Sequence, residues 1–250
     1  MKNSVLPVIA IFSFCFIACQ QVAEKAEKTS KESQIIQRVL DFSGGAEAWD
    51  KAVGFQWNFF GSRMNYWNKQ TGDFRTDFLK QDLSIVYNLS TQEGKAWLNQ
   101  KPVVADSLAY YLDIANQVWC NDAYWVFMPF KLEDEGVSVK WLRSDSSQAE
   151  EGVEVALWCD VLELKFDSVG YTPENKYEVF VDKETGKVAQ WTYFRNDSTE
   201  VFTDLWANYE RVGDVKLATY HTPQRVVSEL RYFSTFPDSV FSVIQFFPTE

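Results

Sequence analysis

Few side chains in this sequence are of types that do chemistry, and their spacing does not favour it. The one histidine is His221, at the end of an apolar alternation just before Thr222-Pro223. A lone imidazole with no nucleophile motif beside it reads as a hydrogen-bonded residue, not as a general base. No Gly-x-Ser-x-Gly elbow and no phosphate-binding glycine loop occurs. Cys120 and Cys159 lack zinc-ligand spacing, and the calcium-loop pattern is absent. Glu133-Asp134-Glu135 and Glu150-Glu151 supply paired carboxylates of the kind that cleave glycosidic bonds. Both runs fall in expected loops, where acidic clusters are solvated surface. The expectation is therefore a protein that is not an enzyme and needs no metal or cofactor.

The remaining chemistry is that of sulfur. Cys120 and Cys159 are about 40 residues apart, so a disulfide between them would close a loop nominally worth ~3–4 kcal/mol. The alternative is two buried free thiols acting as small apolar side chains. Cys19 stands apart from these. It follows Phe16-Ile17-Ala18 at the end of a nearly continuous apolar run, Val5 to Ala18, with Lys2 before it. That run is short for a transmembrane helix, which needs about 20 apolar residues, and fits the apolar part of a cleavable export signal. The small residue before Cys19 resembles the lipobox of bacterial lipoproteins, which implies acylation of the Cys19 thiol and cleavage before it. Residues 1–18 are thus expected to be a lipoprotein signal peptide. Residues 19–33 (Gln20-Gln21-Val22 through the Glu/Lys/Ser stretch) have no apolar periodicity and are expected to form a flexible tether. Gln20, in place of an aspartate, resembles the pattern of lipoproteins passed to the outer membrane. The expected location is the bacterial cell envelope, lipid-anchored at the outer membrane.

Residues 34–250 are left for one β-rich domain. A formal net charge of −11 argues against nucleic acid as a partner, since phosphates call for Lys and Arg. It argues equally against a basic membrane-binding face.

Side-chain periodicity outlines the elements that would hold any site. Ile35, Ile36, Val39, Leu40 and Phe42 form a helical stripe that Gly44-Gly45 ends. At Phe55, Trp57 and Phe59 the period changes to two, the mark of a half-buried strand. Pro102 to Trp119 predicts a second helix with Leu108, Tyr111, Leu112, Ala115 and Trp119 on one face. Tyr124 to Phe127 reads as a strand ended by Pro129. About ten strands in all are expected, the last at Val240 to Phe246, with two or three helices. Short turns such as Asp182 to Gly186 imply antiparallel pairing. The fold class is α+β, mostly β: a large curved antiparallel sheet, or half-barrel, partly wrapped round two or three helices.

Three stretches resemble an uncharacterised family of bacterial envelope lipoproteins. They are Gly44-Gly45-Ala46-Glu47-Ala48-Trp49-Asp50, Asn121 to Leu132, and Gly170-Tyr171-Thr172-Pro173 with Lys176 to Asp182. That family is in turn similar to the periplasmic lipoprotein carrier and outer-membrane lipoprotein receptor fold. The resemblance implies a half-barrel whose concave side shelters acyl chains. It does not by itself fix the function of this chain.

The candidate lining of such a hollow is Phe55, Trp57, Phe59, Trp97, Leu108, Tyr111, Leu112, Trp125 and Phe127. The ligand would be an acyl chain or other lipid, held by area and shape at about 0.8 kcal/mol per buried methylene. The alternative is a structural lipoprotein in which the same rings fill the core and the surface docks another envelope component.

Overall fold

A computed structural model describes residues 30–167, 170–237 and 239–242. Cys19 and the signal lie outside the described residues, as do most of the tether and the far end of the strand expected at Val240 to Phe246. The described start of that last span is not a strand but belongs to a short helix, α4 (Ser239–Ser242).

The chain enters through α1 (Lys31–Ser43). Ser30 caps it by accepting a hydrogen bond from the Ser33 N–H, and Gly44 ends it in the left-handed region at φ 116°. Any larger residue at Gly44 would place its Cβ 2.4 Å from the Asp214 carbonyl oxygen, so the stop needs glycine twice over. Ile35, Ile36 and Val39 are buried. Arg38 donates to the Asp160 carboxylate at 2.9 Å, and the Trp141 indole donates to the same group at 3.0 Å. The pair ties the helix to the strands behind it.

After the short α2 (Ala46–Lys51) come β1 (Gly54–Phe59), β2 (Arg63–Asn68), β3 (Asp73–Phe78), β4 (Leu83–Asn88), β5 (Gly94–Leu98) and β6 (Lys101–Pro102). Then α3 runs from Ala105 to Phe127 and passes into a 3-10 turn, Met128–Phe130. Eight further strands follow: β7 (Val137–Ser146), β8 (Trp158–Phe166), β9 (Lys176–Asp182), β10 (Val188–Phe194), β11 (Glu200–Leu205), β12 (Ala207–Val212), β13 (Val215–Thr222) and β14 (Arg225–Phe233). They form a nine-stranded sheet in the order β12-β13-β14-β1-β2-β3-β4-β5-β6 and a five-stranded sheet in the order β11-β10-β9-β8-β7. Every strand pairing is antiparallel. The larger sheet does not close into a barrel. At Trp206 the chain leaves one sheet for the other: β11 ends at Leu205, the fully buried Trp206 donates its N–H to the Ala189 carbonyl at 2.9 Å, and β12 begins at Ala207.

The structure corrects the expected strand at Tyr124 to Phe127. These residues are the last turn of α3, which is 23 residues long. The buried positions Ala115, Val118, Asp122, Trp125 and Val126 keep helical spacing throughout. Asp122 hides that stripe in the sequence because an acid reads as a surface residue. Here it is fully buried and accepts two hydrogen bonds from Arg63, at 2.9 and 2.8 Å, and one from Asn65 at 2.9 Å. Pro129, read in the sequence as the end of a strand, lies instead in the 3-10 turn that follows α3 and has no N–H with which to continue the helix.

Of the two alternatives for Cys120 and Cys159, the structure has both thiols free. Period-two alternation along β8 explains why. Leu162 and Leu164 face the main core, whereas Cys159 and Val161 face the other way with Phe180 and Ala189. Cys120 sits on α3 and so lies on the opposite side of the sheet.

His221 is wholly buried among Trp125, Trp206 and Phe60. Its Nδ1 donates to the Leu205 carbonyl at 2.9 Å, which makes it a strut at the sheet junction. Burial pushes its pKa down from 6.5 to about 4, with the Arg225 charge adding to that effect. An unfolded chain takes up this proton near pH 6.5. Above that pH the neutral ring costs nothing. As pH falls from 6.5 towards 4, the unfolded state binds the proton first and stability is lost, by up to about 3 kcal/mol. Denaturant titrations of wild type and His221→Gln across that range should show a flatter pH dependence in the variant. Parallel curves would contradict the assignment.

Candidate functional site

The interior splits the expected lining residues among four places. Phe55, Trp57 and Phe127 are fully buried and Phe59 nearly so. Phe127 is the hub of this group, with its ring 4.9 Å from Phe55, 5.3 Å from Trp57, and 5.5 Å from both Trp49 and Trp67. These rings interlock. They form the joint between the large sheet and the end of α3, which corrects the expectation of a hollow at this place. The physical reason is α3 itself: as a helix it drives Phe127 into the middle of these rings.

Leu108, Tyr111 and Leu112 lie in the first half of α3. They pack on Leu83, Ile85, Tyr87 and Ala96 of β4 and β5, forming a second cluster. Trp97 faces away from it. It pairs with Ser84, while its neighbour Ala96 pairs with Ile85 in the cluster, so alternation puts Trp97 on the other side of the sheet.

Only Trp125 of the nine expected residues lines the open cavity between α3 and the five-stranded sheet. That cavity measures about 420 Å³, within the usual span for small-molecule sites. The second half of α3 forms one wall with Trp119, Cys120 and Tyr124. Phe166 at the end of β8, Tyr177 of β9 and Trp191 of β10 form the wall opposite. Trp119, Tyr124, Phe166 and Tyr177 are only partly covered and keep ring area open. Tyr124, Phe166 and Tyr177 stand as a triangle with centroids 5.5, 6.0 and 6.4 Å apart. Trp191 stacks behind Tyr177 at 4.7 Å and fixes its plane. The result is a continuous aromatic surface.

The rim is polar but largely self-satisfied. The Tyr171 hydroxyl donates to Asp113 at 2.8 Å and accepts from the Asn116 amide at 2.8 Å, latching the β8–β9 connection to α3. Burial and Asp113 together push the Tyr171 pKa up to about 12, so the latch stays protonated at any physiological pH. Gln117 donates to Asp113, Asn121 to Asp122, and Asn175 to Thr172. Lys131 is paired with Asp134. Sequence reading missed Tyr124, Phe166 and Tyr177 as lining residues. The signal for Tyr177 and Phe166 was the alternation of β8 and β9, which places them in line with Leu164 and Val179. For Tyr124 the element itself had been misread.

Among the described residues no helix is long and apolar enough to cross a membrane. No group of three His, Cys, Asp or Glu side chains there gathers to hold a metal ion.

No family model matches the chain, and no curated protein matches it. Several solved structures are similar to it, three of them as follows. One is a DUF1329 family protein from Desulfovibrio piger, at 14% identity and a TM-score of 0.46, covering 86% of this chain and 98% of that one. Another is a putative outer membrane lipoprotein-sorting protein domain from Vibrio parahaemolyticus, at 13% and 0.43, covering 84% and 95%. The third is a LolA superfamily protein from Nitrosomonas europaea, at 10% and 0.41, covering 85% and 98%. All three share the general fold at a level of likeness that carries no argument about what this chain binds.

Proposed function

We propose that this protein binds an apolar ligand, such as an acyl chain, in the cavity between α3 and the five-stranded sheet, and performs no chemistry on it. It does so at the cell envelope, held to the outer membrane through an acylated Cys19 and the tether behind it. One observation carries the binding reading: open aromatic faces line a cavity of about 420 Å³ beneath a rim whose polar groups mostly satisfy one another. Such a site offers area and shape but few demands for matching polar groups. Each buried methylene would contribute about 0.8 kcal/mol. The interlocked rings around Phe127 support the rival reading of a filled structural core, but only for that half of the interior.

Cys120 provides a reporter, since it is among the cavity-lining residues and only partly covered while Cys159 is fully buried. Burial raises the Cys120 pKa, with Lys131 opposing the shift, so alkylation should be slow at neutral pH and faster at pH 9. With monolauroylglycerol present, alkylation of Cys120 mapped by mass spectrometry should slow at least fivefold. Unchanged labelling at saturating probe would sink the cavity as the binding site. For the anchor, Cys19→Ala should abolish incorporation of radioactive palmitate, and persistent incorporation would refute the assignment.

A further inference from the structure

One face of β8 runs from an exposed tryptophan to the cavity. Trp158, Asp160, Leu162, Leu164 and Phe166 alternate along that face. Leu162 and Leu164 enter the core, and Phe166 lines the cavity. Trp158, at the other end of the strand, leaves 57% of its area in solvent, and Val155 just before it leaves 67%. A lone exposed ring would need no explanation, but this one has a particular set of neighbours.

Asp160 links Trp158 to the point where the chain enters the domain. Lys183 Nζ lies 5.5 Å over the Trp158 ring, 3.7 Å from Asp160 Oδ1, and donates to Ser144. Lys31, the first residue of α1, comes within 4.0 Å of the same oxygen and lies over the Trp141 ring at 3.2 Å. Arg38 and the Trp141 indole already hold the carboxylate at 2.9 and 3.0 Å. Both ammonium groups therefore stand beyond hydrogen-bond distance of it. Glu32 and Glu184 follow the two lysines in sequence, which leaves the patch with little net charge. Tryptophan beside lysine, with an exposed aliphatic neighbour, is the make-up of side chains that sit at a membrane–water interface.

Connectivity names the membrane. Cys19 stands twelve positions before Lys31, and a chain of that length spans no more than about 43 Å in any conformation. Resting on the proposed acylation of Cys19, we propose that the Trp158 end of the five-stranded sheet docks on the phospholipid surface that holds the anchor. The Trp158 indole and Val155 enter at headgroup level, and Lys31 and Lys183 reach the lipid phosphates. Phe166 stands eight residues further along β8, about 26 Å away at the usual rise of a strand. The cavity mouth, where Gly170, Tyr171 and Thr172 follow β8, then faces away from that membrane. Ligand enters from the aqueous side, not out of the anchoring bilayer.

The test uses the full acylated chain reconstituted in vesicles of phosphatidylethanolamine and phosphatidylglycerol, with brominated phosphatidylcholine as a quencher of tryptophan fluorescence. Flotation of the vesicles first establishes attachment. Brominated lipid should dim the wild type, and Trp158→Phe, at a position the core does not need, should remove about half or more of the quenched signal. Lys31→Gln with Lys183→Gln should remove a comparable share. Glu174→Trp on the Trp158→Phe background, an exposed site between the mouth residues Thr172 and Asn175, should restore none of it. Protein that floats but is quenched equally with and without Trp158 would overturn the docking and leave the anchor in place. So would quenching indifferent to the lysine changes, or quenching restored by Glu174→Trp. Protein that does not float would overturn the anchor reading and this inference with it.

Discussion

Replacing Asp122 with alanine should destabilise the folded protein by about 3–5 kcal/mol, the range for removing one partner of a buried ion pair. The carboxylate is fully buried and accepts from both forks of the Arg63 guanidinium, from Asn65 and from Asn121. Arg63 is on β2 and Asn65 two residues along it, so this one acid fastens the long helix to the large sheet. Without it, the guanidinium keeps only 21% of its side chain in solvent and the Asn65 amide loses its acceptor. Urea unfolding should show a lower midpoint with little change in slope. Arg63→Met added to Asp122→Ala should cost less than the sum of the two single changes, because the stranded cation goes with it. A loss under 1 kcal/mol for Asp122→Ala would mean that the helix is held by its apolar face alone.

Phe127→Ala should be comparably damaging, at about 3–5 kcal/mol, the usual cost of emptying a large aromatic site in a core. Four rings, those of Phe55, Trp57, Trp49 and Trp67, lie within 5.5 Å of it centroid to centroid. They come from β1, β2 and α2, and no single one can move in to fill the space. The proposed binding cavity is walled by a different set of rings, so ligand affinity measured well below the unfolding midpoint should change less than threefold. If Phe127→Ala removed binding while the fold persisted, the interior hub would belong to the site after all. Unaltered stability would contradict the packing account.

These two residues also mark where the sequence was legible and where it was not. The α1 stripe of Ile35, Ile36 and Val39, its glycine stop, and the alternation of Phe55, Trp57 and Phe59 come straight from periodicity, because each element buries one face and nothing interrupts it. The mostly β character with antiparallel pairing was likewise readable from turns such as Asp182 to Gly186. α3 was cut short because β-favouring Tyr124-Trp125-Val126-Phe127 follows a buried acid. Local preference argued for a strand, and only the distant partner Arg63 makes Asp122 acceptable inside. That one misreading displaced the site. Taken as a strand, the segment turned Phe127 into cavity wall; as a helix, it plugs the large sheet with Phe127 and presents Tyr124 to β8 and β9. The state of the two cysteines stayed open in the sequence for a related reason, since sequence separation says nothing about which face of a strand Cys159 occupies.

The central claim is that the aromatic cavity holds an apolar molecule. Native mass spectrometry of the protein purified without added lipid, at low activation energy, addresses it most directly. The account predicts a second series of peaks displaced by the mass of one co-purified lipid-sized molecule, and loss of that series when Tyr177→Glu places a charge on the aromatic wall. Repeated spectra of bare protein, with no uptake after incubation with monolauroylglycerol, would contradict it.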